Sequence, residues 1–152
     1  MDKYIGDAIM ALFPVSADDV VQGAIAMLKK LDDYNQNRQL NGYKTIKIGI
    51  GLNTGKLMLG TIGGKNRMDG TVISDTVNLA SRVECLTKRY DSPLLITMQT
   101  YEKLINPSKY KIRLIDAIKV KGKSEDITVY EVFDMDSPEK QILKNETQYE
   151  FK

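Results

Sequence analysis

The residues of this sequence that can do chemistry are carboxylates, lysines, arginines, hydroxyls and amides. Lys3-x-x-Gly6-Asp7 sets a carboxylate at a glycine turn beside an apolar run. Oxygen in that position can hold a hard cation, and it equally suits a turn aspartate that satisfies nearby amides. Asn78-x-x-x-Arg82 puts an amide and a guanidinium one helical turn apart, with Arg67 ahead of them. Guanidinium is the natural partner of a phosphate; the plainer alternative is a solvated helix face with an ion pair to Asp75 or Glu84. Gly49-x-Gly51-x-Asn53-Thr54-Gly55, followed by Gly60 and Gly63-Gly64, resembles loops that turn backbone amides onto phosphate. No P-loop is present and no GxGxxG opens a helix, so packing and turn roles are favoured there. Lys119-Val120-Lys121-Gly122-Lys123 gathers lysines at a turn, as a solubilising edge or a reach toward polyphosphate.

What is absent narrows the chemistry further. The chain has 0 histidines and 1 cysteine, Cys85. That excludes, within this chain, histidine-ligated zinc, Ser-His-Asp and Cys-His nucleophiles, and an internal disulfide. The remaining groups are the tools of metal-assisted phosphate chemistry. The 22 Lys and Arg against 20 Asp and Glu leave a net charge of +2, so nothing pulls the chain toward nucleic acid or an anionic membrane. No apolar run reaches the roughly 18 residues of a membrane span, and Met1-Asp2-Lys3-Tyr4 has no signal-peptide character. The expected setting is reducing and cytoplasmic.

The elements that must position these groups follow from periodicity. With 152 residues, 42% of them hydrophobic, the chain suits one domain with a real core. Ala8 to Phe13 is an apolar run stopped by Pro14, a buried strand that follows a turn at Gly6-Asp7. Ser16 starts a helix with Asp18 and Asp19 in its first turn. Val21, Ala24, Ile25, Leu28 and Leu31 form its apolar face, and it is predicted to end near Tyr34, with a polar loop from Asn35 to Gly42. Ile46, Ile48, Ile50 and Leu52 alternate with Lys47, Gly49 and Gly51 as a strand, and a second strand from Leu57 to Ile62 completes a hairpin. The bare glycine face requires something packed closely on it. Gly63 to Gly70 reads as a flexible loop. A helix follows from about Asp75 to Tyr90, capped by Ser74 or Asp75, with Leu79, Val83 and Leu86 on one face and Asn78 with Arg82 on another. Pro93 to Thr97 is a short strand and Met98 to Ile105 a short helix. Tyr110 to Ile115, Ile118 to Val120 and Thr128 to Phe133 are strands. The polar tail, 136–152, is predicted as a frayed helix or disorder. This is an α+β pattern, helices on a largely antiparallel sheet.

In chain order, Lys3-Tyr-Ile-Gly-Asp7-Ala-Ile-Met-Ala-Leu-Phe13, Ile48-Gly-Ile-Gly-Leu-Asn-Thr-Gly55, Arg67-x-Asp69-Gly-Thr71-Val-Ile-Ser-Asp-Thr-Val-Asn78-Leu-Ala-Ser-Arg82-Val-Glu84 and Val120-Lys-Gly-Lys123 resemble the catalytic domain of class III adenylate/guanylate cyclases. The likeness runs from Lys3 to about Phe133 and is most specific from Thr71 to Glu84. It implies a ferredoxin-like βαββαβ cyclase fold, with 1–135 as a partial catalytic domain and 136–152 as a tail. It also implies conversion of a nucleoside triphosphate to the 3′,5′-cyclic monophosphate and pyrophosphate with two Mg²⁺ or Mn²⁺. By resemblance, Asp7 matches a metal-binding aspartate, Asn78 the residue that orients the ribose, and Arg82 the arginine on the α-phosphate. Lys3 and Thr71 match the base-reading pair, and Arg67 and Lys121 are candidates for the triphosphate. A lysine ammonium donates to adenine N1, whereas guanine N1 carries a proton, and guanylate-type members carry Glu and Cys at these two positions. The pair therefore favours ATP over GTP.

The resemblance also implies a head-to-tail homodimer in which each site draws on both copies, and such a partner would be a candidate occupant of the glycine face. The family's first strand, its first metal aspartate and its first helices would precede Lys3, so weak or absent activity is expected of this chain alone. Ser74 stands where the family usually has glycine. The alternatives are a non-catalytic nucleotide-binding or dimerisation module, or a guanylate cyclase. The domain itself is expected to be cytoplasmic, and a parent protein could be either free or membrane-attached.

Overall fold

A computed structural model describes residues 2–5, 8–55, 67–119 and 126–150. Asp2–Ile5 (β1) and Ala8–Ala11 (β2) pair antiparallel, with Lys3 opposite Met10. The strand expected from Ala8 to Phe13 is present but ends at Ala11, and Ile9 and Phe13 are exposed, so it is not the buried strand expected; the turn residues Gly6 and Asp7 lie outside the described residues.

Ser16 then caps the helix Ala17–Leu40 (α1), its hydroxyl accepting from the Asp19 N–H at 3.2 Å. Asp18 and Asp19 complement the positive end of the helix dipole. Val21, Ala24, Ile25 and Leu28 are buried, as their spacing predicted. The helix does not stop at Tyr34. Its polar last turns are held by the returning chain, which uses them in place of a neighbouring strand. The Asn35 carboxamide donates to the Ile46 carbonyl and accepts from the Ile46 N–H, both at 2.8 Å. Arg38 Nε donates to the Lys44 carbonyl at 2.7 Å, and its guanidinium lies over the rings of Tyr34 and Tyr43 at 5.7 and 5.4 Å. Gly42, at φ +78°, takes the left-handed conformation that lets the chain leave the helix. Backbone groups engaged in this way do not pair in a sheet. The predicted strand from Ile46 accordingly shortens to Ile50–Leu52 (β3), and Ile46 and Ile48 are exposed. Its predicted partner, Leu57 to Ile62, lies outside the described residues.

Arg67–Arg89 (α2) links β3 to Leu94–Thr97 (β4), which runs parallel to it with Ile50 opposite Leu94 and Leu52 opposite Ile96. The short helix Met98–Glu102 (α3), capped by Thr97, and a 3₁₀ turn at Pro107–Lys109 lead to Ile112–Lys119 (β5) and Asp126–Val132 (β6). The two strands predicted between Tyr110 and Val120 are one: an irregularity between Leu114 and Asp116 inserts Ile115 without breaking the ladder. The sheet order is β3-β4-β6-β5, antiparallel at β4-β6 and β6-β5. The mixed α+β expectation holds.

All four residues of β4 are buried. Alternation sends Leu94 and Ile96 into a core with Val21, Ala24, Ile25 and Leu28 of α1, and Leu95 into a second with Leu79 and Val83 of α2. A strand covered on both faces reads as an unbroken apolar run, as Leu94-Leu95-Ile96 does. Asp18 ties α1 to the segment before β5, its carboxylate accepting from the Ile105 N–H at 2.9 Å and from the Tyr110 hydroxyl at 2.8 Å.

Of the two forms expected for the tail, the helix is the one the described residues take: Pro138–Glu150 (α4). Lys144 from it donates to Glu131 at 2.9 Å and pairs with Asp136, while Arg113 of β5 meets Glu131 at 2.6 Å. Glu131 is fully buried, so its charge requires both cations.

Candidate functional site

The helix α2 carries most of the residues singled out by sequence. It begins at Arg67, so 67–70 are its first residues and neither Ser74 nor Asp75 is its cap. Arg67 and Thr71, expected before the helix, join Asn78 and Arg82 on one continuous element. At about 100° per residue the intervals of four, seven and four place positions 67, 71, 78 and 82 in one row along it, about 60° wide. Lys3 is on β1. Asp7 and Lys121, with the lysine turn around it, lie outside the described residues.

The opposite side of α2 is pressed on β3 and the turn after it. A Cβ added at Gly51 would overlap the Ala80 carbonyl and the Glu84 amide; at Gly49 it would overlap Thr87, and at Gly55 it would overlap Thr76. Positions 76, 80, 84 and 87 form a second row on the helix, and the three glycines are the floor on which it rests. The bare glycine face therefore has an occupant within the chain, α2 itself, and not a dimer partner as the resemblance suggested. The packing reading of these glycines is the one the structure supports. Two residues along the helix from 76 or 80 is a turn of about 200°, so Asn78 and Arg82 stand away from the sheet. Both are exposed. Among the described residues no ion pair engages Arg82, and the pairings with Asp75 or Glu84 are not formed.

Where β3 ends, a hydroxyl and amide network joins three elements. The Thr97 hydroxyl donates to Asn53 Oδ1 at 2.8 Å, Asn53 Nδ2 donates to the Thr76 carbonyl at 3.1 Å, and the Thr54 and Thr100 hydroxyls share a 2.9 Å bond. Beside it a cleft of about 320 Å³ opens between Met10–Val15, Gly51–Gly55 and the Thr76, Val77 and Ala80 face of α2. The sequence offered Asn53 only a turn role and gave this cleft none. The available signal was an amide between two glycines just after a strand. Among the described residues no group of three or more Asp, Glu, Cys or His stands together to hold a metal ion, so no complete cation site is assembled from them.

The chain matches the family described as the adenylate and guanylate cyclase catalytic domain over residues 3–133. It is 43% identical over 152 residues to the "Adenylate cyclase, terminal-differentiation specific" of Dictyostelium discoideum, covering 95% of this chain and 7% of that protein. It is 47% identical over 138 residues to the "Adenylate cyclase" of Anabaena cylindrica, 87% of this chain and 28% of that protein. A third relative, "Adenylate cyclase 1" of Rhizobium meliloti, is 29% identical over 136 residues, 86% of this chain and 20% of its own length. The chain thus spans less than a third of the curated relatives it matches. Among the described residues no helix is long and apolar enough to cross a membrane. The family match over most of its length and the identity to the first two relatives show that this chain belongs to the class III adenylate and guanylate cyclase catalytic domains.

Proposed function

We propose that this domain is built to form 3′,5′-cyclic AMP and pyrophosphate from ATP, with weak or absent turnover expected of residues 1–152 alone. Family substrates are nucleotides, and the observation that carries the reading is the row on α2. Asn78 and Arg82 stand one turn apart, exposed, on a helix whose other side is fixed to the sheet. A guanidinium there meets the α-phosphate as charge gathers on its oxygens, and the amide of Asn78 orients the ribose. The 3′-oxygen bonds to the α-phosphorus, the bond to the bridging oxygen breaks, the hydroxyl proton leaves and pyrophosphate departs. Lys3 and Thr71 read the base and favour adenine; Arg67 and Lys121 hold the triphosphate. Family members generally use divalent metals. By the resemblance Asp7 would be a ligand of Mg²⁺ or Mn²⁺, which would supply charge neutralisation on the phosphates.

Asn78 and Arg82 face away from their own core, and a second copy facing that row in a head-to-tail homodimer would enclose the nucleotide. We assign residues 1–135 to a partial catalytic domain and 136–152 to a tail, in a cytoplasmic setting. The test is product formation from ATP and GTP with Mn²⁺, beside Arg82→Ala. Cyclic AMP should exceed cyclic GMP, and loss of the guanidinium should lower turnover about 100-fold or more. Product that survives Arg82→Ala unchanged would refute the assignment. No product from either nucleotide would leave the cyclase fold standing and support a catalytically incomplete piece.

A further inference from the structure

We propose that Asn53 is a positioning residue for Asn78 and Arg82, an inference that rests on the cyclase reading above. Its carboxamide is a directional link between α2 and the sheet. Nδ2 donates to the Thr76 carbonyl at 3.1 Å, and Oδ1 accepts from the Thr97 hydroxyl at 2.8 Å. Thr97 closes the fully buried strand β4 and its hydroxyl also caps α3, accepting from the Thr100 N–H at 3.4 Å. Asn53 is thus anchored at a rigid point and holds α2 two residues before Asn78 and six before Arg82.

The glycine contacts cannot do this alone. Gly49, Gly51 and Gly55 set how near the helix comes, and Leu79 and Val83 bury one of its stripes, but neither contact ties a single backbone atom of the helix in place. A hydrogen bond to one named carbonyl does, and so defines both the rotation and the sliding of the helix. The chemistry also selects asparagine, because one short side chain must offer a donor to Thr76 and an acceptor to Thr97. Aspartate has no donor when ionised, and alanine has neither group. Asn53 lies across the helix from the row that carries Asn78 and Arg82, so it acts on them through the helix. Small misplacements of positioned groups cost rate steeply.

The experiment compares the chain with Asn53→Ala and Asn53→Asp by amide hydrogen exchange and by steady-state kinetics with ATP and Mn²⁺. Exchange over 76–82 is expected to rise about tenfold in both variants, while β4 amides stay within about twofold. With the clamp lost, kcat should fall about tenfold and KM stay within about twofold. Unchanged exchange over 76–82, or a rise spread equally over β4, overturns the proposal. The exchange comparison decides whether Asn53 holds the helix with or without turnover, whereas an unsubstituted chain that forms no cyclic nucleotide would show a catalytically incomplete piece and remove the catalytic half of this proposal, leaving the family membership standing.

Discussion

Gly51 lies so close beneath Ala80 that a Cβ on it would come within 2.7 Å of the Ala80 carbonyl oxygen. That neighbour is helix backbone and cannot swing aside, so the whole of α2 would have to move. Gly51→Ala should therefore destabilise by about 3 kcal/mol, the upper range of overpacking. Gly23 is the matched control: it is also a glycine, but on α1 and with nothing within 4 Å of an added Cβ. Gly23→Ala should stabilise by about 0.5–1 kcal/mol through helix propensity alone. Urea unfolding of the two variants checks both signs, and a neutral Gly51→Ala would contradict the close packing.

Glu131 is the one charged side chain among the buried residues described, and Arg113 with Lys144 neutralises it. Arg113→Met should cost about 3 kcal/mol, because a buried carboxylate then loses one of its two cations. Lys144 also holds α4, and its ammonium lies 5.6 Å over the Phe133 ring. Truncating it should raise proteolysis of 138–150 before it affects the sheet. Equal melting temperatures for Arg113→Met and the unsubstituted chain would refute the first expectation.

The Ile105 N–H, followed by the Tyr110 hydroxyl and Lys109, holds the Asp18 carboxyl below its ordinary range. A carboxylate with a lowered folded pKa adds stability above its unfolded value, about 3.9, and that share is lost as pH falls through the folded value. Asp18→Asn should therefore show a shallower loss of stability than the unsubstituted chain below about pH 4, with the curves parallel above it. The group is largely solvated, so the difference will be small. Denaturant midpoints from pH 2.5 to 6 measure it, and parallel curves throughout would show that the pin carries no charge-dependent stability.

If Lys3 reads adenine, Lys3→Glu should favour guanine, since a carboxylate accepts from the guanine N1–H and repels the adenine N1 lone pair. The ratio of kcat/KM for ATP over GTP should fall about 30-fold or more, the value of a mismatched buried polar pair. Competition between the two nucleotides in one vessel gives the ratio directly. An unchanged ratio would take base recognition away from Lys3.

Much of the candidate site was legible because it is local. Helical spacing alone put Asn78 beside Arg82, and Ser16 with the Val21 to Leu28 stripe marked α1, since capping and 3.6-residue periodicity act within one element. The bare face at Gly49 and Gly51 announced a close neighbour without naming it. What escaped the sequence depends on contacts between distant segments. α1 runs on to Leu40 because Asn35 and Arg38 bond the chain that returns at Ile46 and Lys44, a gain invisible to propensity. For the same reason Ile46 and Ile48 alternate like a strand yet pair with nothing in the described sheet.

The sequence by itself determined the chemistry open to this protein. A chain with no histidine and a lone cysteine is left with carboxylates, amides and guanidinium groups, and their order along the chain carried the cyclase likeness that the family match bears out. Only the tertiary structure decided which face of α2 turns outward. Three glycines accept one row of the helix against backbone, and Asn53 fixes its rotation from a point 23 residues away from Thr76. Those contacts, made between elements that no local pattern connects, leave Asn78 and Arg82 on the free side.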